Sequence, residues 1–335
     1  MSYAKEKARI EKIRKRVTFI IATVLFLVLL GLCILSAFYP LATWKYHFYL
    51  PDVQKRNDKE LRLHFIDVGQ GDCVLIELPD NKVMLVDGGN GSAQSDKAIM
   101  RYLNALDIDE IDYMLVTHPD ADHCGGLDTV LKYTQVNAVY LPPVSSTANA
   151  AYAKFYKQLN QEGCGVQYTS SAVSLSVKES KTPYTLQMLY PYMVDAENLP
   201  TVNDSNALSG IFWLDYQGVS ALFTGDAPKE IEELLMRDDN LGLFDKDGIA
   251  LKSTEILKVA HHGSANSTSE QFLRHLGVET AVISCGVDNE YDHPSTQVKN
   301  ALGAVGAATY RTDTQGSVVV TVKADGTYAV QTLGK

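Results

Sequence analysis

The sequence predicts an α/β domain preceded by a single transmembrane helix, and three observations lead to this interpretation. An uncharged, apolar run occupies residues 17–39 of the 335-residue chain. Predicted strands and helices then alternate from residue 61 onward, as in domains whose sheets are covered by helices. Several of these strands end on an aspartate or a histidine, which predicts a polar site along one edge of a sheet.

The first 39 residues have the composition of a membrane anchor. Residues 1–16 carry seven lysines and arginines against two glutamates. The uncharged run is longer than the about 20 residues that cross a bilayer. A buried core helix would show a polar face, and a cleaved signal peptide would show a small-x-small exit. Because basic flanks stay cytoplasmic, we expect an uncleaved single-pass helix, a cytoplasmic N-terminus with no inferred cytoplasmic partner, and an extracellular catalytic domain.

Charge and cysteine content narrow the classes of function. The chain has a formal net charge of −10. The part that follows the basic tail is more acidic still, which disfavours a general nucleic-acid binder. Four of the five cysteines lie scattered outside the apolar run, with no C-x-x-C pair. This spacing supports neither a zinc ribbon nor a disulfide framework, so we expect small core residues, while one or two disulfides remain open.

A polar linker, residues 40–60, leads into the predicted domain at residues 61–335. Its strands are recognised as short apolar or alternating runs bounded by glycine, proline or aspartate. They are "LRLHFIDVG", "DCVLIEL", "KVMLVDGG", "DYMLVTH", "NAVYLPP", "YTLQMLYP", "GIFWLDYQGVSALFTGD", "LKVA", "TAVISCG" and "GSVVVTVKADGTYAV". The last strand and the long seventh one read as hairpins, turned at Asp325-Gly326 and at Gln217-Gly218.

Helices are predicted between these strands from apolar periodicity and helix-start signals. The segments are residues 96–106, "GGLDTVLKY", an insert near 148–161, "PKEIEELLMR", "SEQFLRHLG" and "STQVKNALGAVG". Pro228 falls near the first turn of its helix, where the missing N–H costs nothing.

The stretch "THPDADHCGG" concentrates potential metal ligands directly after a buried strand. It holds His118, Asp120, Asp122 and His123 within six residues. Imidazole nitrogens and carboxylate oxygens are natural ligands for zinc, manganese or iron, and mixed His/Asp sites usually keep a position open for water. Asp122 as a helix cap is the structural alternative, but four potential ligands in six residues disfavour it.

Downstream strands end in the same way. Asp226 closes "ALFTGD", His261 and His262 close "LKVAHHGS", and His293 lies in "EYDHPS". A lone histidine at a strand end is more often a structural residue, but here the pattern recurs. Because carboxyl ends of parallel strands meet at one sheet edge, these side chains are expected to share a cleft.

These motifs together resemble a known family. "FIDVGQGD", "LVDGG", "THPDADHCGG", "LFTGD", "LKVAHHGS" and "EYDHPS" are similar to motifs of the metallo-β-lactamase-fold hydrolases, and among them to the extracellular nuclease-like domain of ComEC-type DNA-uptake (competence) proteins. The resemblance covers residues from about 61 to the C-terminus. It implies an αββα sandwich with two divalent metal ions, Zn or Mn, at the rim between the sheets.

The family's H-x-H-x-D-H signature falls on the "THPDADHCGG" stretch. The resemblance implies that His118 and Asp120 hold the first ion, and that Asp122 and His123 hold the second. One histidine of the "HH" pair, preferably His262, completes the second ion's ligands. Asp226 matches the bridging carboxylate. Asp87 in "LVDGG" matches a residue below the site that orients ligands without binding metal.

Two departures from the signature concern the first ion. Asp120 replaces the second histidine, as is typical of the competence branch, and a carboxylate favours harder ions such as manganese without excluding zinc. The family's third metal-binding histidine is absent. It would lie near "TVNDSNALS", where Asn203, Asp204, Ser205 and Asn206 are the candidates for substrate or metal support.

The implied chemistry is metal-assisted hydrolysis. Asp122 or Asp226 would orient the nucleophile, and His261 or His293 would stabilise the phosphorus centre or protonate the leaving oxygen. His261 as a support for His262 is an equal alternative. We expect a membrane-anchored extracellular phosphodiesterase or nuclease acting on DNA. Alternatives are hydrolysis of another phosphate or carbonyl ester, such as a wall polymer or lipid headgroup, and a non-catalytic surface protein that binds metal or DNA.

Overall fold

The computed structural model describes residues 3–39, 41–192 and 204–335. The chain divides into two compact units, one that ends at Phe48 and one from Tyr49 to Lys335. The four boundaries given by the sequence, for tail, anchor, linker and domain, stay predictions.

The first unit is dominated by one long helix. Helix α1 spans Tyr3–Phe38 and is followed by a 3-10 helix at Leu41–Tyr46. An 18-residue window of α1 has a mean hydropathy of 3.0 and no buried residue. By length and composition, α1 is a candidate membrane span.

The second unit contains two sheets. The larger has eight strands in the order β14-β13-β1-β2-β3-β4-β5-β6. The strands from β3 to β6 run parallel, and the remaining neighbours pair antiparallel. Their bounds are β1 Leu61–Phe65, β2 Val74–Glu77, β3 Val83–Val86, β4 Glu110–Leu115, β5 Gln135–Leu141, β6 Gly165–Tyr168, β13 Val318–Val322 and β14 Tyr328–Thr332.

The smaller sheet has six strands in the order β12-β11-β10-β9-β8-β7. Strands β9 to β12 run parallel, whereas β8 pairs antiparallel with both β7 and β9. Their bounds are β7 Thr185–Tyr190, β8 Ile211–Tyr216, β9 Val219–Phe223, β10 Ile256–Lys258, β11 Thr280–Ile283 and β12 Ala308–Arg311.

The helices of the second unit form two groups. Helices α2 to α5 contact one another, and helices α6 to α8 contact one another. Their bounds are α2 Ala93–Ala105, α3 Ala121–Cys124, α4 Leu127–Tyr133, α5 Ala150–Glu162, α6 Lys229–Asn240, α7 Glu270–Leu276, α8 Thr296–Val305 and the short α9 Thr312–Gln315.

Two apolar cores explain this layering. One core joins the facing sides of the two sheets, where the rings of Phe65 and Phe223 stack with centroids 6.2 Å apart. The other core packs the outer side of the smaller sheet against α6, α7 and α8. Burial of apolar surface on both faces of a sheet is what requires helices outside the sheets. The αββα sandwich expected from the sequence is therefore confirmed.

Strand ends bring the polar motifs together. The parallel strands β3 and β4 end just before Asp87 and His118. In the other sheet, β9 ends three residues before Asp226, and β10 ends just before the two histidines at 261 and 262. Since these strands run parallel within their sheets, their carboxyl ends gather at the rim of the sandwich.

Differences from the sequence-based elements have simple causes. Strands β6 and β12 were not predicted, because both lie at sheet edges and most of their side chains are exposed or half-buried. Helix α2 begins at Ala93 rather than at residue 96, because Ser92 caps it and accepts a hydrogen bond from the Ser95 N–H. The segment predicted as a linker contacts the domain, since Arg56 donates to the Asn81 side chain at 2.6 Å and Val53 is buried.

The cysteines agree with a packing role. Cys73, Cys124 and Cys285 are buried, Cys164 is half-buried and Cys33 is exposed on α1. All five are free thiols.

Candidate metal centre

The segment that follows β4 turns into the one-turn helix α3. Asp120 occupies the N-cap position of α3 without a capping hydrogen bond from its side chain, and Asp122 lies within the helix. Helix α4 begins after Gly126, and no side chain caps it. Asp122 is therefore not a helix cap, and both carboxylates remain available for contacts within the site.

The carboxylate of Asp226 lies where four imidazoles converge. Asp226 is 2% exposed, and its Oδ1 atom lies 3.2 Å from Nε2 of His123. Its Oδ2 atom lies 3.6 Å from Nε2 of His262 and 3.6 Å from Nε2 of His261. The Nε2 atom of His118 is 3.9 Å from the same Oδ2 atom. Asp226 is thus the common neighbour of every histidine in these motifs except the one at position 293.

Two further carboxylates flank this cluster, each beside a different histidine. Oδ2 of Asp122 lies 3.2 Å from Nε2 of His262, whereas Oδ2 of Asp120 lies 3.8 Å from Nε2 of His118. The Asp120 side chain is 41% exposed and the Asp122 side chain 30%. Both carboxylates therefore combine contact with the buried cluster and access to solvent.

Asp87 contacts the cluster at the Nδ1 atom of His123, on the opposite side of the ring from Asp226. Its Oδ2 atom accepts a hydrogen bond from Nδ1 of His123 at 2.9 Å. Thr117 donates to Asp87 twice, from its backbone N–H to Oδ1 at 2.9 Å and from its hydroxyl to Oδ2 at 2.7 Å. A histidine bonded through Nδ1 presents Nε2 to the site. The orienting role of Asp87 stays a prediction, and these contacts support it.

Asp72 is a site residue that the sequence analysis missed. Its buried carboxylate lies 3.3 Å from Nδ1 of His262 and 3.7 Å from Nδ1 of His123. It also forms an ion pair with the ammonium group of Lys258, which is buried as well. Asp72 is the last residue of the motif "FIDVGQGD", so its position in a family motif was visible in the sequence. Its place in a turn between two strands, however, did not predict contact with histidines far along the chain.

Buried atoms without partners make the site suitable for divalent ions. Among the described residues, Nε2 of His118, His123 and His262 and Oδ1 of Asp226 are buried and lack a hydrogen-bond partner. An unpaired buried polar atom costs free energy, and native structures rarely tolerate several together. Imidazole nitrogens with carboxylate oxygens form the donor set of zinc and manganese sites. The residues therefore fit the metal ions that the fold family implies.

Within the part of the chain that the structure describes, two groups of potential ligand side chains have their ligand atoms within 4.8 Å of one another. One is His118, His123 and Asp226, and the other is Asp72, His123 and His262. We favour the first as part of a metal site, because Lys258 already neutralises Asp72. In the second group, Asp72 contacts both histidines at their Nδ1 atoms, so we expect it to support the rings.

Electrostatics of the cluster favour a bound cation. Burial would lower the pKa of His262, but the carboxylates of Asp226 and Asp72 outweigh it and raise that pKa to about 10. The same balance, against Asp226 and Asp87, raises the pKa of His123. Burial and the neighbouring His123 lower the pKa of His118 to about 4. The negative potential is therefore strongest around His123 and His262, where metal ions would replace protons.

The backbone of the site is strained. His261 and His262 have φ values of 49° and 53°, and Asp87 has 57°, all in the left-handed region. Such conformations cost about 1–3 kcal/mol each in non-glycine residues and concentrate at functional sites. Gly263 follows at φ 85°, and a Cβ there would lie 2.5 Å from Cβ of Pro294. With this backbone geometry, the two consecutive imidazoles of His261 and His262 both face Asp226.

The Asn-rich segment approaches the cluster through Ser205. The Ser205 hydroxyl donates to Oδ1 of Asp120 at 2.6 Å. Asp204 is exposed, and its carboxylate accepts from the Asn206 N–H at 3.1 Å, so it caps a short 3-10 turn. Oδ1 of Asn206 is buried and has no hydrogen-bond partner among the residues that the structure describes. Asn203, the other predicted support residue, lies outside the described residues.

His261 and His293 border the open side of the cluster. Their ring centroids are 5.6 Å apart, and the His261 side chain is 27% exposed. The His293 ring also lies 6.4 Å from that of His262. These two imidazoles are thus the ones placed to meet a substrate that enters from solvent, and their catalytic roles stay predictions.

Comparison with known proteins identifies the domain. Residues 66–287 match the family model described as the metallo-beta-lactamase superfamily. The matched range contains every residue of the cluster described above except His293.

Three curated relatives are similar over most of this chain. ComE operon protein 3 of Bacillus subtilis is 28% identical over 274 residues, which cover 77% of this chain and 33% of that protein. Competence protein ComA of Neisseria gonorrhoeae is 27% identical over 81% of this chain and 33% of its own length. Recombination protein 2 of Haemophilus influenzae is 28% identical over 76% of this chain and 28% of its own length. The chain thus spans about a third of the length of these relatives.

Proposed function

The chain belongs to the metallo-beta-lactamase superfamily, and we propose that it is a membrane-anchored phosphodiesterase that cleaves DNA outside the cell. The observation that carries this proposal is the convergence of three unpartnered, buried Nε2 atoms on Asp226. The similarity to proteins named for competence supports DNA as the substrate.

The proposed metal ligands divide into two sets that share Asp226. His118 and Asp120 would hold one ion, and Asp122, His123 and His262 the other. When bound, divalent ions supply Lewis acidity toward phosphate oxygens and lower the pKa of water to about 7. Zinc and manganese both suit this donor set.

The chain's own residues would bind, orient and donate protons. Asp122, which is partly exposed beside His262, would orient the attacking water. As the new P–O bond forms and the old one breaks, His261 or His293 on the open side would give a proton to the leaving oxygen. Asp72 and Asp87 would hold the histidine rings in place through their Nδ1 atoms.

The location outside the cell rests on the N-terminal helix. An 18-residue window of helix α1 is strongly apolar and contains no buried residue, and the basic residues of α1 precede the uncharged run. Under the positive-inside rule this asymmetry keeps the N-terminus cytoplasmic and exports the rest. A reporter enzyme fused to the C-terminus that works only in the cytoplasm would contradict this topology.

The activity is tested with the full-length protein in detergent micelles. Single-stranded DNA and bis(p-nitrophenyl) phosphate are supplied with Mn²⁺ or Zn²⁺, and product is measured for the wild type and for His123→Ala. We expect metal-dependent turnover that the substitution abolishes. Absence of wild-type turnover on both substrates with either metal would refute the nuclease proposal.

The acidic charge favours a second candidate. The net charge of −10 includes a basic tail, so the extracellular part would repel a long polyanion. A smaller phosphate or carbonyl ester, such as a lipid headgroup or a unit of a wall polymer, would meet less repulsion. Turnover of bis(p-nitrophenyl) phosphate without cleavage of DNA would favour this candidate.

A further inference from the structure

The loop between β11 and α8 forms a firm edge beside the metal centre. The Asn289 side chain donates to the carbonyl of Gly286 at 2.9 Å and to that of His293 at 2.6 Å. Its Oδ1 atom accepts from the His293 N–H at 2.9 Å. The Gly286 N–H donates to Oε1 of Gln70 at 3.0 Å, which ties the start of the loop to the other sheet's turn. The loop is therefore held at both ends by one asparagine.

Tyr291 stands at the outer end of a series of rings that begins in the centre. Its ring lies 5.6 Å from that of His293, with an interplanar angle of 26°. The His293 ring in turn lies 6.4 Å from that of His262, at 30°. The carboxylates of Glu290 and, less strongly, Asp122 raise the pKa of the Tyr291 hydroxyl. Tyr291 is thus close to the reacting region, and its side chain is 59% exposed.

The charge of this loop restricts what the exposed ring can bind. Its sequence, "GVDNEYDH", contains three carboxylates and no lysine or arginine. These carboxylates repel a phosphate backbone, but they do not repel a neutral planar ring. Aromatic side chains at the edge of nucleic-acid sites stack on bases, and this stacking tolerates any base because each has a π face.

We propose that Tyr291 stacks on a nucleobase adjacent to the phosphate that enters the metal centre, and that the substrate is therefore single-stranded nucleic acid. This inference rests on the proposed phosphodiesterase function and names the substrate class of the same site. Bases in a duplex are stacked on one another and do not offer a face to Tyr291. A duplex would also bring a second charged backbone toward the acidic loop.

The test compares two substrates of equal charge. Full-length protein in detergent micelles with Mn²⁺ cleaves either oligothymidylate or an oligonucleotide of the same length that carries stable abasic sites throughout. The proteins are the wild type, Tyr291→Ala, Tyr291→Trp and Val287→Ala. Val287 is a matched control, because it is 60% exposed on the same loop but has no ring.

We expect Tyr291→Ala to raise KM for oligothymidylate about tenfold, since one stacked base contributes roughly that factor to affinity. Tyr291→Trp should restore the wild-type KM, and Val287→Ala should leave it unchanged. On the abasic oligonucleotide the wild type should already show the high KM, so Tyr291→Ala should change it less than twofold. A constant kcat across the variants would show that the ring acts in binding.

Two results separate the inference from the proposed function. If the wild type cleaves both substrates with the same KM, or if Tyr291→Ala and Val287→Ala behave alike, base stacking is overturned while the nuclease function stands. If the wild type cleaves neither oligonucleotide under conditions where His123→Ala serves as the blank, the nuclease function fails, and the inference fails with it.

Discussion

The two sides of Asp226 differ in how firmly their side chains are held. On the side of His262, Asp122 lies 3.2 Å from Nε2, the Ser284 carbonyl accepts a hydrogen bond from Nδ1 at 2.9 Å, and Asp72 lies 3.3 Å from Nδ1. On the side of His118, the Thr117 hydroxyl hydrogen-bonds the Nδ1 atom at 3.0 Å, but the nearest carboxylate is Asp120 at 3.8 Å. That carboxylate is partly exposed, and the Ser205 hydroxyl donates to it. The difference supports the prediction that the absence of the family's third histidine leaves the His118 half of the proposed centre less complete than the His262 half.

The largest expected effect is a loss of turnover when a proposed ligand on the His262 side is removed. His262→Ala should reduce turnover by more than the about 10–100-fold that supporting residues cost, because it removes a proposed ligand itself. His118→Ala should cost less, since its half of the centre contributes less to metal retention. Metal content by mass spectrometry and turnover under saturating Mn²⁺ measure both effects. Equal losses in the two variants would show that the two sides are equivalent.

The second effect concerns the buried ion pair behind the histidines. Asp72→Asn leaves the Lys258 ammonium buried without a counterion, and breaking such a pair costs about 3–5 kcal/mol of unfolding free energy. Metal affinity should fall about 10–100-fold as well. Denaturant titration in detergent and metal titration measure these losses.

The double variant Asp72→Asn with Lys258→Met is the matched control. It removes both charges, so it should recover much of the stability and little of the metal affinity. If stability stays as low as in Asp72→Asn alone, the unpaired lysine is not the cause of the loss.

The affinity for metal ions should also depend on pH differently on the His262 side and on the His118 side. Without metal, His262 has a pKa of about 10 and is protonated at neutral pH, whereas His118, with a pKa of about 4, is neutral. Only neutral imidazole binds a metal. Binding at His262 therefore releases a proton, and metal affinity should fall up to tenfold for each unit of acidification per proton released.

Calorimetric titration of Mn²⁺ in buffers of different ionisation enthalpy counts the released protons. We expect at least one proton from the wild type and one fewer from His262→Gln. The count for His118→Gln should match the wild type. A wild-type count of zero at pH 7 would contradict the charge state inferred for His262.

The smallest expected effect is at the Ser205 hydroxyl, which supports Asp120 on the His118 side. Ser205→Ala removes the 2.6 Å hydrogen bond to Asp120. Hydrogen bonds to charged groups contribute about 1.5–3 kcal/mol when buried, and the partial exposure of Asp120 reduces this. We expect less than a tenfold loss in affinity for the more weakly bound ion and no change for the tighter one. Reduced affinity for the more tightly bound ion would contradict the assignment of Ser205 to the His118 side.

Local elements followed from local sequence. The hairpin at Gln217-Gly218 has both residues at positive φ, 58° and 79°, as that turn type requires. Apolar periodicity predicted helices α6, α7 and α8 close to their observed ends. Strands β6 and β12 were not predicted, because edge strands bury too little apolar surface to produce a continuous apolar run.

The candidate site was predicted in part. The strand-end motifs carried His118, His123, Asp226 and His262, because a histidine or aspartate after a buried strand is visible in one dimension. Asp72 was not predicted, since its partners lie in other motifs far along the chain. Contact between Ser205 and Asp120 depended in the same way on the meeting of two distant segments.

The sequence by itself determined the strand and helix types, the metal-ligand chemistry of the motifs and the family resemblance, because these depend on residue type and short spacing. Only the tertiary structure decided that Asp226 is the common neighbour of four imidazoles, that Lys258 neutralises Asp72 and that Tyr291 extends the ring series to the surface. The physical reason is that each of these contacts joins segments from different strands and loops. Their distances are set by packing of the two sheets, which no local pattern encodes.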